Sequence, residues 1–210
     1  MYHSIIALDK SGSMQRFVQD TLGGFNNFVK SQDQDSKITL VTFNNVIKTL
    51  YEHKLCKDCT NLNESNYQVG GSTALYDAIG ESISIGESEE SGVNIIVVII
   101  TDGYENSSKK YSSKVIKNLI AQKQECGWEF IFMGAEQDAI LSAQALNIPE
   151  RSAMTYNLEE SEAAFNNVSS AIKRSTSTPG TCTPIEFTQL ERKSSICRGA
   201  TEPPKITRQS

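Results

Sequence analysis

The sequence has no stretch approaching the roughly 20 consecutive apolar residues that a helix needs to cross a bilayer. Its longest apolar run, 95–100, is only strand length, which argues against a membrane protein. A basic excess is missing too: 20 Lys and Arg against 25 Asp and Glu give a formal charge of -5 and a pI near 5.2. A nucleic-acid binder would present the opposite balance, so nucleic acid is set aside. The first eight residues run straight into an apolar strand pattern that ends at an acidic residue, with no basic and apolar leader before it. No signal peptide is expected, and the expected location is cytoplasmic. Five cysteines, Cys56, Cys59, Cys126, Cys182 and Cys197, form an odd set without the density of a disulfide scaffold. Free thiols are the expectation. Cys56 and Cys59 make a C-x-x-C pair that a four-thiolate zinc site would need Cys182 and Cys197 to complete, but those two are too far apart to form a second knuckle.

The order of apolar patterns carries more information. Strand-like runs at 4–8, 38–43, 46–55, 94–100 and 128–133 alternate with helical patterns at 14–30, 74–85, 111–124 and 138–146, and a short strand and helix follow between 152 and 174. Continuous runs such as IIVVII suit strands covered on both faces, which are the strands of a mostly parallel sheet. The two-residue link Asn44–Asn45 fits a tight antiparallel turn at one edge. The expected fold is therefore α/β: a doubly wound, mostly parallel sheet of about six strands with one antiparallel edge hairpin and helices on both faces. Residues 1–174 form the expected domain. From Ser175 the composition turns to Ser, Thr and Pro, with five basic residues against three Glu, so 175–210 carries +2 and 1–174 carries -7. Such a segment buries too little apolar surface to order itself, and it reads as a flexible tail or docking arm.

Three separated segments place oxygen donors just past a predicted strand or within a loop: Asp9, Ser11 and Ser13 in LDKSGSM, Thr73 in GGSTALYDAI, and Asp102 in IITDGYEN. Ligands of open α/β sheets sit beyond the carboxyl ends of the strands, where the strand order reverses. Two carboxylates and three hydroxyls, without imidazole or thiolate, are hard donors that favour Mg²⁺, with Mn²⁺ or Ca²⁺ as alternatives to it. An ion held largely by neutral hydroxyls keeps Lewis acidity and an exchangeable position, which a carboxylate from outside can fill.

DKSGSM is similar to the D-x-S-x-S motif of the metal-ion-dependent adhesion site of von Willebrand factor A (VWA) domains. Thr73 matches that family's lone threonine, and Asp102 in TDG its second aspartate. The resemblance runs from about residue 2 to 174. It implies that Ser11, Ser13 and often Thr73 touch the metal directly, while Asp9 and Asp102 hold it directly or through water. GGSTALYDAI and FIFMGAEQDA also resemble the compact stand-alone members of bacteria and their phages, including those encoded in tellurite-resistance clusters. The implied function is a protein-binding module whose ion coordinates an Asp or Glu of a partner.

Each residue also has a plainer reading. Ser11 and Ser13 can cap a helix starting near Met14, Thr73 can cap the next one, and Asp102 with Gly103 can form an ordinary strand-ending turn. Tyr76 and Asp77 read as packing and helix-dipole residues, Trp128 as core filling between sheet and helix, and His3 and His53 as structural or exposed. Glu87, Glu89 and Glu90 read as a solvated run. Two other functions compete. A Mg²⁺-dependent phosphoester hydrolase would share the Asp-rich sheet edge, yet the position two residues after Asp9 is Ser11 rather than the second carboxylate of haloacid-dehalogenase-type phosphatases. No phosphate-binding glycine fingerprint occurs either. A structural or docking component of a bacterial stress-resistance or phage-encoded complex would use the tail.

Overall fold

The computed structural model describes residues 1–135, 138–177 and 183–196. Its order is β1 (Tyr2–Asp9), α1 (Val18–Ser31), β2 (Lys37–Phe43), β3 (Ile47–Leu55), α2 (Leu75–Glu87) and β4 (Asn94–Thr101). There follow α3 (Ser113–Glu125), β5 (Glu129–Ala135), α4 (Ala139–Ala145), β6 (Ala153–Tyr156), α5 (Ser161–Thr176) and α6 (Gln189–Ser194). One six-stranded sheet runs β3-β2-β1-β4-β5-β6. Every pairing is parallel except β2 with β3. The doubly wound sheet with one antiparallel edge pair is the architecture expected from the sequence.

Period-two alternation within β1 sorts the core into two layers. Tyr2, Ile6 and Leu8 face α1 and α5, where Phe25, Phe28 and Phe165 form a cluster of tilted and edge-on rings. Ile5 and Ala7 face the other way, towards Ala78, Ile79 and Ile83 of α2 and Ile116 and Ile120 of α3. β4 is buried on both faces from Ile95 to Thr101, which is why its sequence is an unbroken apolar run. Each Ile or Val of that run contributes about 1.5–3 kcal/mol by leaving water. Trp128 is only half-buried: it stacks on Phe130 and lies over Gly86 of α2, where a Cβ would come within 2.5 Å of the indole. It covers the rim of that layer rather than filling its centre.

The reversal of strand order lies between β1 and β4. Both strands end there at the same level, β1 in Asp9 and β4 in Thr101. The first helical segment departs from the simple periodic pattern, because Gly12–Phe17 winds as a 3₁₀ turn before α1 begins at Val18. Its tighter winding swings Met14 fully into the core while Ser13 stays outside.

Two other parts differ from composition-based expectation. Within the segment assigned to a tail, residues 183–196 pack on the domain: Ile185 and Phe187 are buried, and Thr188 with Glu191 forms a capping box at the start of α6. Glu191 also takes two contacts from the Arg174 guanidinium, at 2.6 and 2.9 Å. At the far end of the sheet, the Glu89 side chain is only 3% exposed and is gripped by Lys37, His3 and His53. A solvated Glu89 does not survive this finding, whereas the buried His3 has the structural place expected of it.

Candidate metal centre

Asp9, Ser11, Ser13, Thr73 and Asp102 are drawn from three loops to the point where β1 and β4 diverge. The Ser13 hydroxyl donates to Asp102 Oδ1 at 2.6 Å, and the Ser11 and Ser13 oxygens lie 3.1 Å apart. Thr73 joins them through the turn after β4: its Oγ1 would stand 2.9 Å from a Cβ placed on Gly103. Only glycine lets the hydroxyl come that close beside Asp102. Asp9, Ser11 and Thr73 are buried, Asp102 is half-buried and Ser13 is exposed. The cluster thus has a closed floor and one open side.

The plain capping roles fail on geometry. Ser11 occupies the N-cap position of the 3₁₀ turn without a side-chain capping bond, and α2 is capped at Ala74 rather than Thr73. These side chains face one another instead of their own helix amides.

The loops around the cluster are fixed by contacts that no local pattern announced. Asp9 Oδ1 accepts from the Ser11 amide at 2.7 Å, Asp9 Oδ2 accepts from Thr101 Oγ1 at 2.6 Å, and the Tyr67 hydroxyl donates to the Asp9 carbonyl. Thr73 is held from behind, its amide donating to Asn106 Oδ1 at 2.9 Å. Asp77 holds the buried first-turn position of α2 that a dipole and packing role implies, and it has a further task. Its carboxylate accepts the amides of Lys109, Lys110 and Tyr111 at 2.8–3.0 Å, tying the loop after β4 to α2. Gly71, at φ +80, passes under Asn45 and offers its carbonyl to the Gly12 amide at 3.0 Å, which joins the first and second loops.

Negative charge accumulates here. Burial pushes the Asp9 carboxyl up to about 6 and the Asp102 carboxylate pushes the same way, against the lowering effect of the Thr101 and Ser11 bonds. The buried phenols Tyr67 and Tyr156 are raised, first by burial and then by the same two aspartates. Two carboxylates that together push up their buried neighbours describe a place that gains from a cation. The donor set fits a hard divalent ion. All five groups are oxygens, two carboxylates balance +2, and the 3.1 Å Ser11–Ser13 spacing is close to the roughly 2.9 Å between adjacent ligands of an octahedral Mg²⁺.

The C-x-x-C pair has no such character. Cys56 and Cys59 are free thiols, and burial pushes the Cys56 thiol up to about 12, away from the thiolate a zinc site needs. Cys182 and Cys197 lie outside the described residues.

A doubly wound sheet with oxygen donors gathered at its switch point defines a class of α/β domains whose ligand sites lie at the sheet edge. Residues 5–171 match the family model of the von Willebrand factor type A domain, and the chain belongs to that family. Comparison with curated protein sequences gives no match. Among solved structures the fold is similar to the von Willebrand domain of the type V pilus tip protein Mfa5 from Porphyromonas gingivalis, with TM-score 0.65, 12% identity, and 82% of this chain and 95% of that one covered. It is similar to the pilus adhesin SpaC from Lactobacillus rhamnosus GG, with TM-score 0.64, 12% identity, and 80% and 29% covered. Proximal thread matrix protein 1 from the mussel byssus, in a structure whose adhesion motif is occupied by zinc, matches at TM-score 0.59 and 18% identity, with 79% and 46% covered. The chain therefore spans about half the length of that mussel protein. Members of the family are typically protein-interaction modules, and homologues bind a divalent metal at this motif.

Proposed function

We propose that this chain is a metal-dependent protein-binding module in which Asp9, Ser11, Ser13, Thr73 and Asp102 hold Mg²⁺ and the ion grips an Asp or Glu side chain of a partner. The observation that carries this reading is the 2.6 Å and 3.1 Å linkage of Asp102, Ser13 and Ser11 around a half-open floor. When bound, the ion supplies a Lewis-acidic position that the partner's carboxylate fills. The protein's own part is to keep the donors converged: Thr101 and the Ser11 amide orient Asp9, and Asn106 orients the Thr73 backbone.

Specificity comes from what lies beside the ion. A small hollow of about 190 Å³, lined by Leu75, Gly103, Tyr104 and Phe132, opens next to the Asp102 turn, and Tyr104 is 69% exposed at its rim. An apolar residue next to the partner's acidic one fits it. The binding reading is favoured over phosphoester hydrolysis because both oxygens of Asp9 already accept hydrogen bonds from the protein, which leaves them poorly placed to attack phosphorus. Among the described residues no helix is long and apolar enough to cross a membrane. A cytoplasmic location, and kinship with stand-alone bacterial and phage members, complete the proposal.

The test is capture of partners by the immobilised full chain in Mg²⁺, in EDTA, and with Asp9→Ala as bait. Partners released by EDTA and missed by the variant are the expected result. Capture that survives both treatments sinks the reading, and Mg²⁺-dependent turnover of a phosphoester that Asp9→Asn abolishes would replace it with the hydrolase.

A further inference from the structure

We propose that His3, His53 and Glu89 form a second metal site, for a borderline transition-metal ion of the zinc class, at the end of the sheet opposite the oxygen cluster. His3 and Asp9 stand near the two ends of β1, six residues and therefore roughly 20 Å apart. The two sites are physically separate, and this one does not depend on the function proposed above.

The chain contains two histidines, and both are here. Their rings lie 4.8 Å apart, centre to centre. His3 Nδ1 and His53 Nδ1 approach the same carboxylate oxygen, Glu89 Oε2, at 2.9 and 3.0 Å. All three donor atoms lie within 4.8 Å of one another. Nitrogen and oxygen ligands of a tetrahedral zinc stand about 3.3 Å apart, so a small outward shift of the rings makes room for an ion.

Two features argue that the cluster is more than a buried ion pair. His3 is fully buried, and the contact of its Nδ1 with Glu89 Oε2, 2.9 Å long, is short but poorly aligned for a hydrogen bond. A misaligned contact of that kind satisfies a buried ring nitrogen poorly. The other ring nitrogen, Nε2, is 2.8 Å from Thr39 Oγ1. When Nε2–H is donated to that hydroxyl, the lone pair stays on Nδ1 and faces the cluster, which is how a second contact fixes a ligand imidazole's tautomer. The second feature is backbone. His53 has φ +49 at an irregularity in the β2–β3 pairing, and its amide donates to the same Thr39 Oγ1 at 3.0 Å. A regular strand would not turn its ring in this way; bulges re-aim side chains.

The chemistry selects the metal. Two neutral imidazoles and one carboxylate are the mixed nitrogen and oxygen set that Zn²⁺ takes, and hard Mg²⁺ does not prefer them. Three protein ligands leave a fourth position, and the part-exposed His53 side opens it to solvent. Lys37 Nζ holds the other carboxylate oxygen, Oε1, at 2.6 Å, so Glu89 has a single oxygen to offer. Because the ammonium sits close to the ion's position, it also weakens binding.

The experiment uses metal-free full chain in excess Mg²⁺, which occupies the oxygen cluster. With two histidines, its long-range nitrogen NMR spectrum contains two imidazole systems. One equivalent of Zn²⁺ is expected to move the Nδ1 resonance of both rings while Nε2 keeps its proton. Competition against a zinc-chelating dye is expected to show binding weakened by about tenfold or more in His53→Ala and in Glu89→Gln. It should be unchanged in Asp102→Ala and in Cys59→Ser. His53→Ala removes a part-exposed ring, and the wild-type spectrum needs no variant at all, so misfolding of one mutant does not hide the answer. Two silent imidazole systems overturn the proposal. So does zinc affinity that survives His53→Ala but is lost in Asp102→Ala or Cys59→Ser.

Discussion

The two ends of β1 offer a direct comparison. At its carboxyl end, Asp9, Ser11 and Ser13 lie within five consecutive positions of one loop and meet Thr73 and Asp102 in a half-open floor. At its amino end, His3 meets His53 and Glu89, residues spread over 87 positions of sequence, in a site that opens beside His53. One strand thus carries hard oxygen donors at one end and borderline nitrogen donors at the other. A parallel sheet permits this because its two edges are built by different loops: those leaving the strands at one end, and those entering them at the other. The family's motif lies in the first set, and nothing in the second set has to follow it.

The comparison breaks most sharply if the two ends respond to the same ion or the same mutation. Asp9→Ala is expected to weaken Mg²⁺ binding by about 100-fold or more, since it removes one of two carboxylates from the set. Calorimetric Mg²⁺ titration measures this, and an unchanged isotherm would place the ion elsewhere. Next in size is Thr101→Val, which deletes the hydroxyl orienting Asp9 Oδ2. A loss of about 10–100-fold in Mg²⁺ affinity follows, with zinc binding at the far end untouched.

Asp77→Asn tests the loops of the carboxyl end alone. Three amide bonds to a carboxylate become bonds to a neutral group that must turn its NH₂ towards one of the donors. A stability loss of about 1.5–3 kcal/mol by urea unfolding is expected. Hydrogen exchange should rise in residues 109–111 and not around His53. The smallest effect sharpens the amino end: Lys37→Met removes a positive charge beside Glu89 and is expected to tighten zinc binding roughly fivefold, about 1 kcal/mol of relieved repulsion. Weaker binding in that variant would assign Lys37 a supporting role instead.

Sequence reading gave the fold almost whole because its signals are local. The unbroken run of β4 and the strand–helix alternation specify a parallel sheet before any contact is known. The five oxygen residues were nameable for the same reason, since each lies at or just beyond a strand end or a glycine-rich turn. What holds them was not. Tyr67, Thr101 and Asn106 belong to no pattern, and the first-turn position of Asp77 says nothing of the 109–111 amides it accepts. Residues 183–196 hid behind a composition rich in Ser, Thr and Pro, although Ile185 and Phe187 are enough to dock them.

By itself, then, the amino-acid order determined most of the strands and helices of 1–174 and where hard oxygen donors would emerge. Those outcomes depend on neighbours a few positions apart, through hydrogen-bond periodicity and alternating burial. Only the tertiary structure decided that His3, His53 and Glu89 share one point, that Glu89 is buried at all, and that Asp77 clamps a loop. Such meetings depend on strand order, on one irregular pairing between β2 and β3, and on how the turn after α2 folds back. Distances across a sheet are set by packing, and no spacing along the chain encodes them.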